Sequence, residues 1–305
     1  MQNYQSAQGY IGDTKNNDAF VYINGEFVHR DKASVSVFDS GFVLGDGVWE
    51  GLRLVSNKLL SADLHMDRLF EGAKAIDLDI GMTRAEVLEA IMSTCARNGF
   101  TDGVHIRLMA TRGRKATPNQ DPRFTIGKAT VVIVAELKTP KFEVSDVGLK
   151  LFTSTYRCST PDVFDLRLNS HSRLNLIQAL IQAIAAGADE ALMLDPQGFV
   201  ASCNSTNFFI IRKGELWTST GRYSFNGITR GHVFDLFGQQ LGAARQLDFT
   251  LAQAYSADEA FLTGTLGGVT PVTQIDGHRI GSGSVGPLTR EIARIYWDWV
   301  RQNCK

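Results

Sequence analysis

Apolar and polar positions first organise as short strands. Ala19-Phe-Val-Tyr-Ile23 and Glu26-Phe-Val-His29 are runs of β-formers separated by Asn24-Gly25, and they predict a hairpin because both turn residues tolerate positive φ. Ser34-Val-Ser-Val-Phe38 predicts a half-buried strand. Gly41 to Arg53 is punctuated by glycines and leads into another strand, with turns, a bulge or a close backbone approach as its readings. The period then lengthens. Leu69, Ala73 and Ile76 share one face of a helix opening at His65, and Val87, Ile91 and Cys95 share one face over Thr83 to Asn98. Thr83 and Glu86 form a capping box for that second helix, and Gly99 stands at its stop. His105 to Gly113 alternates as a strand, a turn-rich loop covers Arg114 to Arg123, and Ala129 to Glu136 is so continuously β-branched that it predicts a strand buried on both faces.

Leu137-Lys-Thr-Pro-Lys-Phe142 breaks the pattern with charge and proline, which places the boundary there: an N-terminal α/β domain over 18–137, a linker over 138–144 and a C-terminal domain over 145–305. After a strand from Leu149 to Thr155, Leu174, Ile177, Ile181 and Ile184 recur at helical spacing and Gly187 ends the helix. Two hairpins follow, Ala191 to Ala201 around Pro-Gln-Gly and Phe208 to Trp217 around Lys213-Gly214. A helix runs from Asn226-Gly-Ile-Thr-Arg230 to about Leu241, a strand from Ala260 enters a Gly-rich loop, and Gly286 to Gln302 is a terminal amphipathic helix. Strands and helices interleave in both halves, so the fold class is α/β (α+β).

Composition changes this picture little. A chain of 305 residues is long for one core, and two domains of about 120 to 160 residues are expected. A net charge of −1 gives no electrostatic footprint for nucleic acid or an anionic membrane, so the partner should be a small molecule. The first 17 residues are polar and no later run approaches about 18 uninterrupted apolar residues, so neither a signal nor a membrane span is expected. Four cysteines show no pairing pattern and no metal-type spacing with the six histidines; reduced thiols in a cytoplasm fit best, and no metal site is expected.

The chemistry concentrates in a few segments. Asn226-Gly227-Ile228-Thr229-Arg230 lies at a helix start, where unpaired N–H groups and the positive end of the dipole attract an anion. Gly264-Thr265-Leu266-Gly267 adds a hydroxyl and further amides. Arg68, in His65-Met-Asp-Arg68-Leu, is a surface arginine by its helix position alone, and Arg107 is a strand-face arginine. Between them run Asp165-Leu-Arg-Leu-Asn169-Ser-His171-Ser-Arg-Leu-Asn175 and Gly198-Phe-Val-Ala-Ser202-Cys-Asn-Ser205-Thr-Asn-Phe208.

In this order the segments resemble the class IV (fold type IV) aminotransferases, the pyridoxal-phosphate family that contains branched-chain and D-amino-acid transaminases and aminodeoxychorismate lyase. The resemblance covers residues 20 to 300. It implies a two-domain fold with a smaller N-terminal domain and a C-terminal pseudo-barrel, a site in the crevice between them, and a homodimer. It further implies pyridoxal or pyridoxamine 5′-phosphate as cofactor, with Arg68, Ser205, Gly227, Ile228, Thr229, Thr265 and Leu266 binding it and Arg107 near the substrate carboxylate. Guanidinium suits the phosphate by its permanent charge and bidentate fork.

Two positions depart from the family pattern. Asn169 stands where the family has the lysine that bonds the cofactor and shuttles a proton; a carboxamide is neither nucleophile nor base near neutral pH, so any cofactor binding would be non-covalent. Losing general base catalysis alone typically costs ~10²–10⁴-fold. Ser202 stands where the family has the glutamate that faces the pyridine nitrogen, and a hydroxyl offers only a neutral hydrogen bond there. The paired change favours natural divergence over a single engineered substitution. His171 is the one imidazole nearby and is either a base or a polar residue at the helix start. Four readings stay open: a transaminase-type enzyme holding the cofactor non-covalently; an enzyme using His171, Arg107, Ser202 and Cys203 for cofactor-independent chemistry; a non-catalytic binder of a phosphorylated small molecule; and an engineered trap of an ordinary transaminase.

Overall fold

The computed structural model describes residues 6–140 and 147–304. It divides into two compact units, one of residues 11–139, 168–173 and 303–305 and the other of residues 1–10, 140–167 and 174–302. Most of the expected linker, residues 141–144, lies outside the described residues.

The first unit begins, after a short strand β1 (Tyr10–Gly12), with the hairpin β2 (Phe20–Ile23) and β3 (Glu26–His29), whose turn has Asn24 and Gly25 at φ 50° and 99°. Next come α1 (Ser40–Leu44), β4 (Gly47–Val55), β5 (Lys58–Leu59), α2 (Ala62–Ala75), α3 (Arg84–Arg97), β6 (Val104–Thr111) and β7 (Thr130–Pro140). Along the sheet the order is β3-β2-β7-β6-β4-β5. Leu69 of α2 and Val87, Ile91 and Cys95 of α3 bury with Leu52, Ile106 and Ile133 in one core, and the capping box of Thr83 and Glu86 is formed. Two expectations are corrected. Ser34 to Phe38 forms no strand, and Val35, Val37 and Phe38 are exposed, because no neighbouring strand pairs with this segment. β7 is not buried on both faces: Val131, Ile133 and Ala135 enter the core while Val132 and Val134 stay half-buried, since helices cover one side of the sheet only.

The second unit holds β8 (Leu149–Thr153), α4 (Pro161–Phe164), α5 (Leu174–Ala185), β9 (Glu190–Leu194), β10 (Val200–Cys203), β11 (Asn207–Arg212), β12 (Glu215–Thr218), α6 (Ile228–Gln240), β13 (Ala244–Gln246), α7 (Leu251–Tyr255), β14 (Glu259–Gly264), β15 (Gly268–Ile275), β16 (His278–Arg279) and α8 (Pro287–Asn303). Its sheet runs β10-β9-β8-β15-β14-β11-β12-β13, with parallel pairing only at β8–β9, β8–β15 and β12–β13 among these neighbours. The strands β9, β10 and β11 carry almost wholly buried residues. In α5 the apolar repeat that marks the helix is not its packing face. Ala179 and Ala183 pack inward, whereas Leu174, Ile177, Ile181 and Ile184 are 51–68% exposed. Among the described residues no helix is long and apolar enough to cross a membrane.

Candidate functional site

In the first unit the segment 169–172 lies against the start of β4 as an extra extended edge. The Trp49 N–H donates to the Asn169 carbonyl at 2.9 Å, the His171 N–H to the Gly47 carbonyl at 3.0 Å, and Ser170 forms a bridge with Val48. Gly47 permits this approach: a Cβ there would lie 2.9 Å from His171 Cδ2 and 2.6 Å from the Ala110 carbonyl oxygen. The glycines of this stretch therefore make room for the Asn169 segment, a close approach that punctuation alone does not distinguish from a turn.

Asn169 is 4% exposed and both ends of its carboxamide are engaged. Nδ2 donates to Glu50 Oε1 at 3.4 Å, and Oδ1 accepts from Arg173 Nη2. Glu50 is fully buried on β4 and accepts from Arg68 Nε and Nη2, each at 2.7 Å, and meets His65 Nδ1 at 2.7 Å. Burial alone would raise this carboxyl, but the hydrogen bonds and charges of Arg68 and His65 outweigh it and hold the group below its ordinary range. Glu50 is thus a carboxylate, and the proton between it and His65 is assigned to the imidazole. Arg68 does not sit on the helix surface as its position suggests; it turns inward to this acid.

Arg107 and Arg173 both stand over one indole ring. Their guanidinium carbons lie 3.6 and 5.3 Å from the Trp49 ring centroid, within cation–π range. Burial and then the neighbouring Arg107 and Arg68 push Arg173 down to about 10, against the pull of Glu50. Arg107 is exposed, and in the register of β6 and β7 it stands opposite Val134, with Met109 opposite Val132. His171 is lowered by burial first and by Arg107 next, and its Nε2 is buried with no hydrogen-bond partner among the described residues. It is a neutral imidazole with an unused ring nitrogen.

In the second unit Ser202 closes a turn. Its Oγ donates to the Thr206 carbonyl at 2.8 Å and accepts from Asn207 Nδ2 at 3.3 Å, so its one proton is already spent on the backbone. Asn207 continues to the start of α6: Nδ2 donates to the Phe225 carbonyl at 2.6 Å, and Oδ1 accepts from the Gly227 N–H at 3.1 Å. Any side chain at 227 would collide with that Oδ1. Gly227 caps α6 with no side-chain hydrogen bond, which leaves the N–H groups of Ile228 and Thr229 facing outward along the helix axis. Thr265 and the buried Leu266 form the turn between β14 and β15, and the pairing of Asn207 with Thr263 brings that turn alongside Thr206. Ser205 is exposed at the tip of its own turn. Cys203 is buried and its thiol is pushed well above the ordinary range by desolvation, with Glu190 adding to the effect, which disfavours the thiolate.

Residue patterns missed Glu50, Trp49, Arg173, Asn207 and Glu190. An acid inside the otherwise apolar Val48-Trp-Glu-Gly-Leu52 was the available signal for Glu50; Asn207 acts through Phe225 and Gly227, and Arg173 stands over the Trp49 ring, partners that spacing does not reveal.

Comparison with known proteins identifies the family. The amino-transferase class IV family model matches residues 47–275. The chain is 39% identical over 282 residues to branched-chain-amino-acid aminotransferase-like protein 2 of Arabidopsis thaliana, covering 92% of this chain and 50% of that protein. It therefore spans about half the length of that relative, and 51% of the like protein 1 from the same organism. Against the branched-chain-amino-acid aminotransferase of Pseudomonas aeruginosa it is 32% identical and covers 93% of both chains. Among solved structures, the branched-chain aminotransferase of Thermoproteus uzoniensis with norvaline superposes with TM-score 0.82 at 30% identity, covering 92% of this chain and 94% of that one. Shared fold, a length matched to the Pseudomonas protein and a family match running from β4 to β15 lead to one conclusion: the chain belongs to the class IV aminotransferases.

Proposed function

We propose that the protein binds pyridoxal or pyridoxamine 5′-phosphate without a covalent bond and acts on an amino acid or 2-oxo acid. The observation that carries this is the start of α6, where Gly227 offers no capping side chain and the donors of Ile228 and Thr229 stand at the positive end of a 13-residue helix. Thr265, Leu266 and Ser205 are assigned to the cofactor with them, and Arg68 to its phosphate. The residues present fit a phosphate ester and do not fit a covalent anchor.

When bound, such a cofactor supplies an electron-accepting ring and a carbonyl or amine at its reactive carbon. The chain's own part is binding and orientation. Asn169, tied to Glu50 and Arg173, presents an amide at the lysine position and can neither bond the cofactor nor move a proton. Ser202 has its hydroxyl proton committed to Thr206, so it places no charge against a ring nitrogen. Arg107, held flat on Trp49 beside Val134 and Val132, suits a carboxylate attached to an apolar side chain. Mixing the purified protein with pyridoxal phosphate should give a free-aldehyde-like absorbance that dialysis removes, and absence of binding sinks the proposal. Unchanged affinity in Arg68→Ala would remove Arg68 from the phosphate.

A second reading has one observation in its favour. The unpartnered, buried Nε2 of His171 is a neutral base that could take the proton role the lysine has lost. Turnover that survives Asn169→Ala and is abolished by His171→Gln supports it.

We also infer a homodimer. The stripe Leu174, Ile177, Ile181, Ile184 is an apolar helix face left open by a single chain, and such faces mark association surfaces.

A further inference from the structure

Glu190, at the start of β9, is 1% exposed, and no basic side chain pairs with it among the described residues. A carboxyl in that position is costly unless its oxygens are satisfied. Two donors from separate segments satisfy them, the Ala7 N–H at 3.0 Å and the Thr206 hydroxyl at 3.0 Å, and the Ser6 side chain next to Ala7 adds a further hydrogen bond. The two come from segments far apart in the chain. Ala7 is buried in a turn closed by the Gly9 N–H on the Ser6 carbonyl at 2.8 Å and by the Gln8 N–H on Ser6 Oγ at 3.0 Å. Thr206 closes the other turn, its carbonyl accepting from the Cys203 N–H at 3.0 Å and Ser202 Oγ at 2.8 Å.

Both donors also flank the loop that carries Thr265. A Cβ on Gly267 would lie 2.8 Å from the Ala7 carbonyl oxygen, and one on Gly264 would lie 3.5 Å from Thr206 Cγ2. The two residues that Glu190 holds therefore lie beside the two ends of the loop. We propose that Glu190 is a positioning residue: through Ala7 and Thr206 it braces the Gly264–Gly268 loop and the Ser202–Thr206 turn, so that one buried carboxyl sets the geometry of two segments assigned to the cofactor. The Ser6–Gly9 turn then belongs to the binding machinery although it lies far from it in sequence. This rests on the assignment of those segments to pyridoxal or pyridoxamine phosphate.

The test compares Glu190→Ala with Glu190→Gln. Glutamine can accept from Ala7 with its oxygen and donate to Thr206 with its nitrogen, so it should rescue. Hydrogen exchange of peptides covering 6–9, 202–206 and 264–268 is read without cofactor, and pyridoxamine phosphate affinity by equilibrium dialysis. Glu190→Ala should speed exchange in all three peptides and weaken pyridoxamine phosphate ~10-fold, the scale of a lost charge-assisted hydrogen bond; Glu190→Gln should stay near the parent in both. Parent-like exchange at 264–268 in Glu190→Ala overturns the brace. If the parent itself fails to bind pyridoxamine phosphate, the functional assignment falls and the exchange data still decide the brace. Should Glu190→Ala not fold, Thr206→Val, which removes the donor hydroxyl and leaves the backbone N–H and C=O groups in place, must speed exchange at 264–268; if it does not, the proposal is wrong.

Discussion

Glu50→Leu isolates the buried charge cluster of the first unit. The carboxylate is fully buried and receives two hydrogen bonds from Arg68 and one from His65, all at 2.7 Å. Removing it leaves a guanidinium that is only 17% exposed without its counter-charge. Breaking a buried pair on one side costs ~3–5 kcal/mol, and the partial exposure of Arg68 places the expected loss near the lower end, ~3 kcal/mol. For a unit of this size that corresponds to a fall in Tm of ~10 °C. Urea and thermal unfolding followed by circular dichroism measure it directly. The direction with pH is also set. Glu50 lies below its ordinary value of 4.5, so its stabilisation is present above that pH and is lost as pH falls through the folded value; the variant should lose less on acidification. A loss below ~1 kcal/mol with an unchanged urea dependence would refute the reasoning, since Arg68 would then reach solvent at little cost.

Three further outcomes are expected. Asn169→Lys should give a protonated-imine absorbance with pyridoxal phosphate, since the new amine would stand beside Glu50; a spectrum identical to the parent's would show that position 169 does not face the carbonyl carbon. Ile181→Glu should halve the solution mass seen by light scattering while changing monomer stability by less than ~0.5 kcal/mol, as for other exposed sites; an unchanged dimer would clear α5 of any part in association. Glu190 is raised from 4.5 to about 7 by burial, with the neighbouring Asp189 adding to it against the hydrogen bonds of Thr206 and Ala7. The folded state therefore holds a proton there that the unfolded state has released, and stability present below pH 4.5 is lost as pH rises towards 7, by up to ~3 kcal/mol. Stability curves of the parent and Glu190→Gln that run parallel over this range would contradict that.

Local patterns were sufficient wherever a short stretch decides its own conformation. Asn24-Gly25 specifies its turn, Thr83 and Glu86 cap α3, and Gly227 starts α6, because each rests on φ preferences and on hydrogen bonds within a few residues. The motif order also disclosed the family. Alternation failed at Ser34 to Phe38, where a strand needs a partner that the sequence does not place, and the stripe of α5 named a helix without saying which side packs. What the tertiary structure alone decided is the company each charge keeps. Arg68 and Glu50 are 18 residues apart, Asn169 and Glu50 119, and Ala7 and Glu190 183. Their meeting depends on strand order and burial, which arise from packing the whole chain, and in a buried setting the identity of the partner determines whether a charged group is stabilised, neutralised or left available to a ligand.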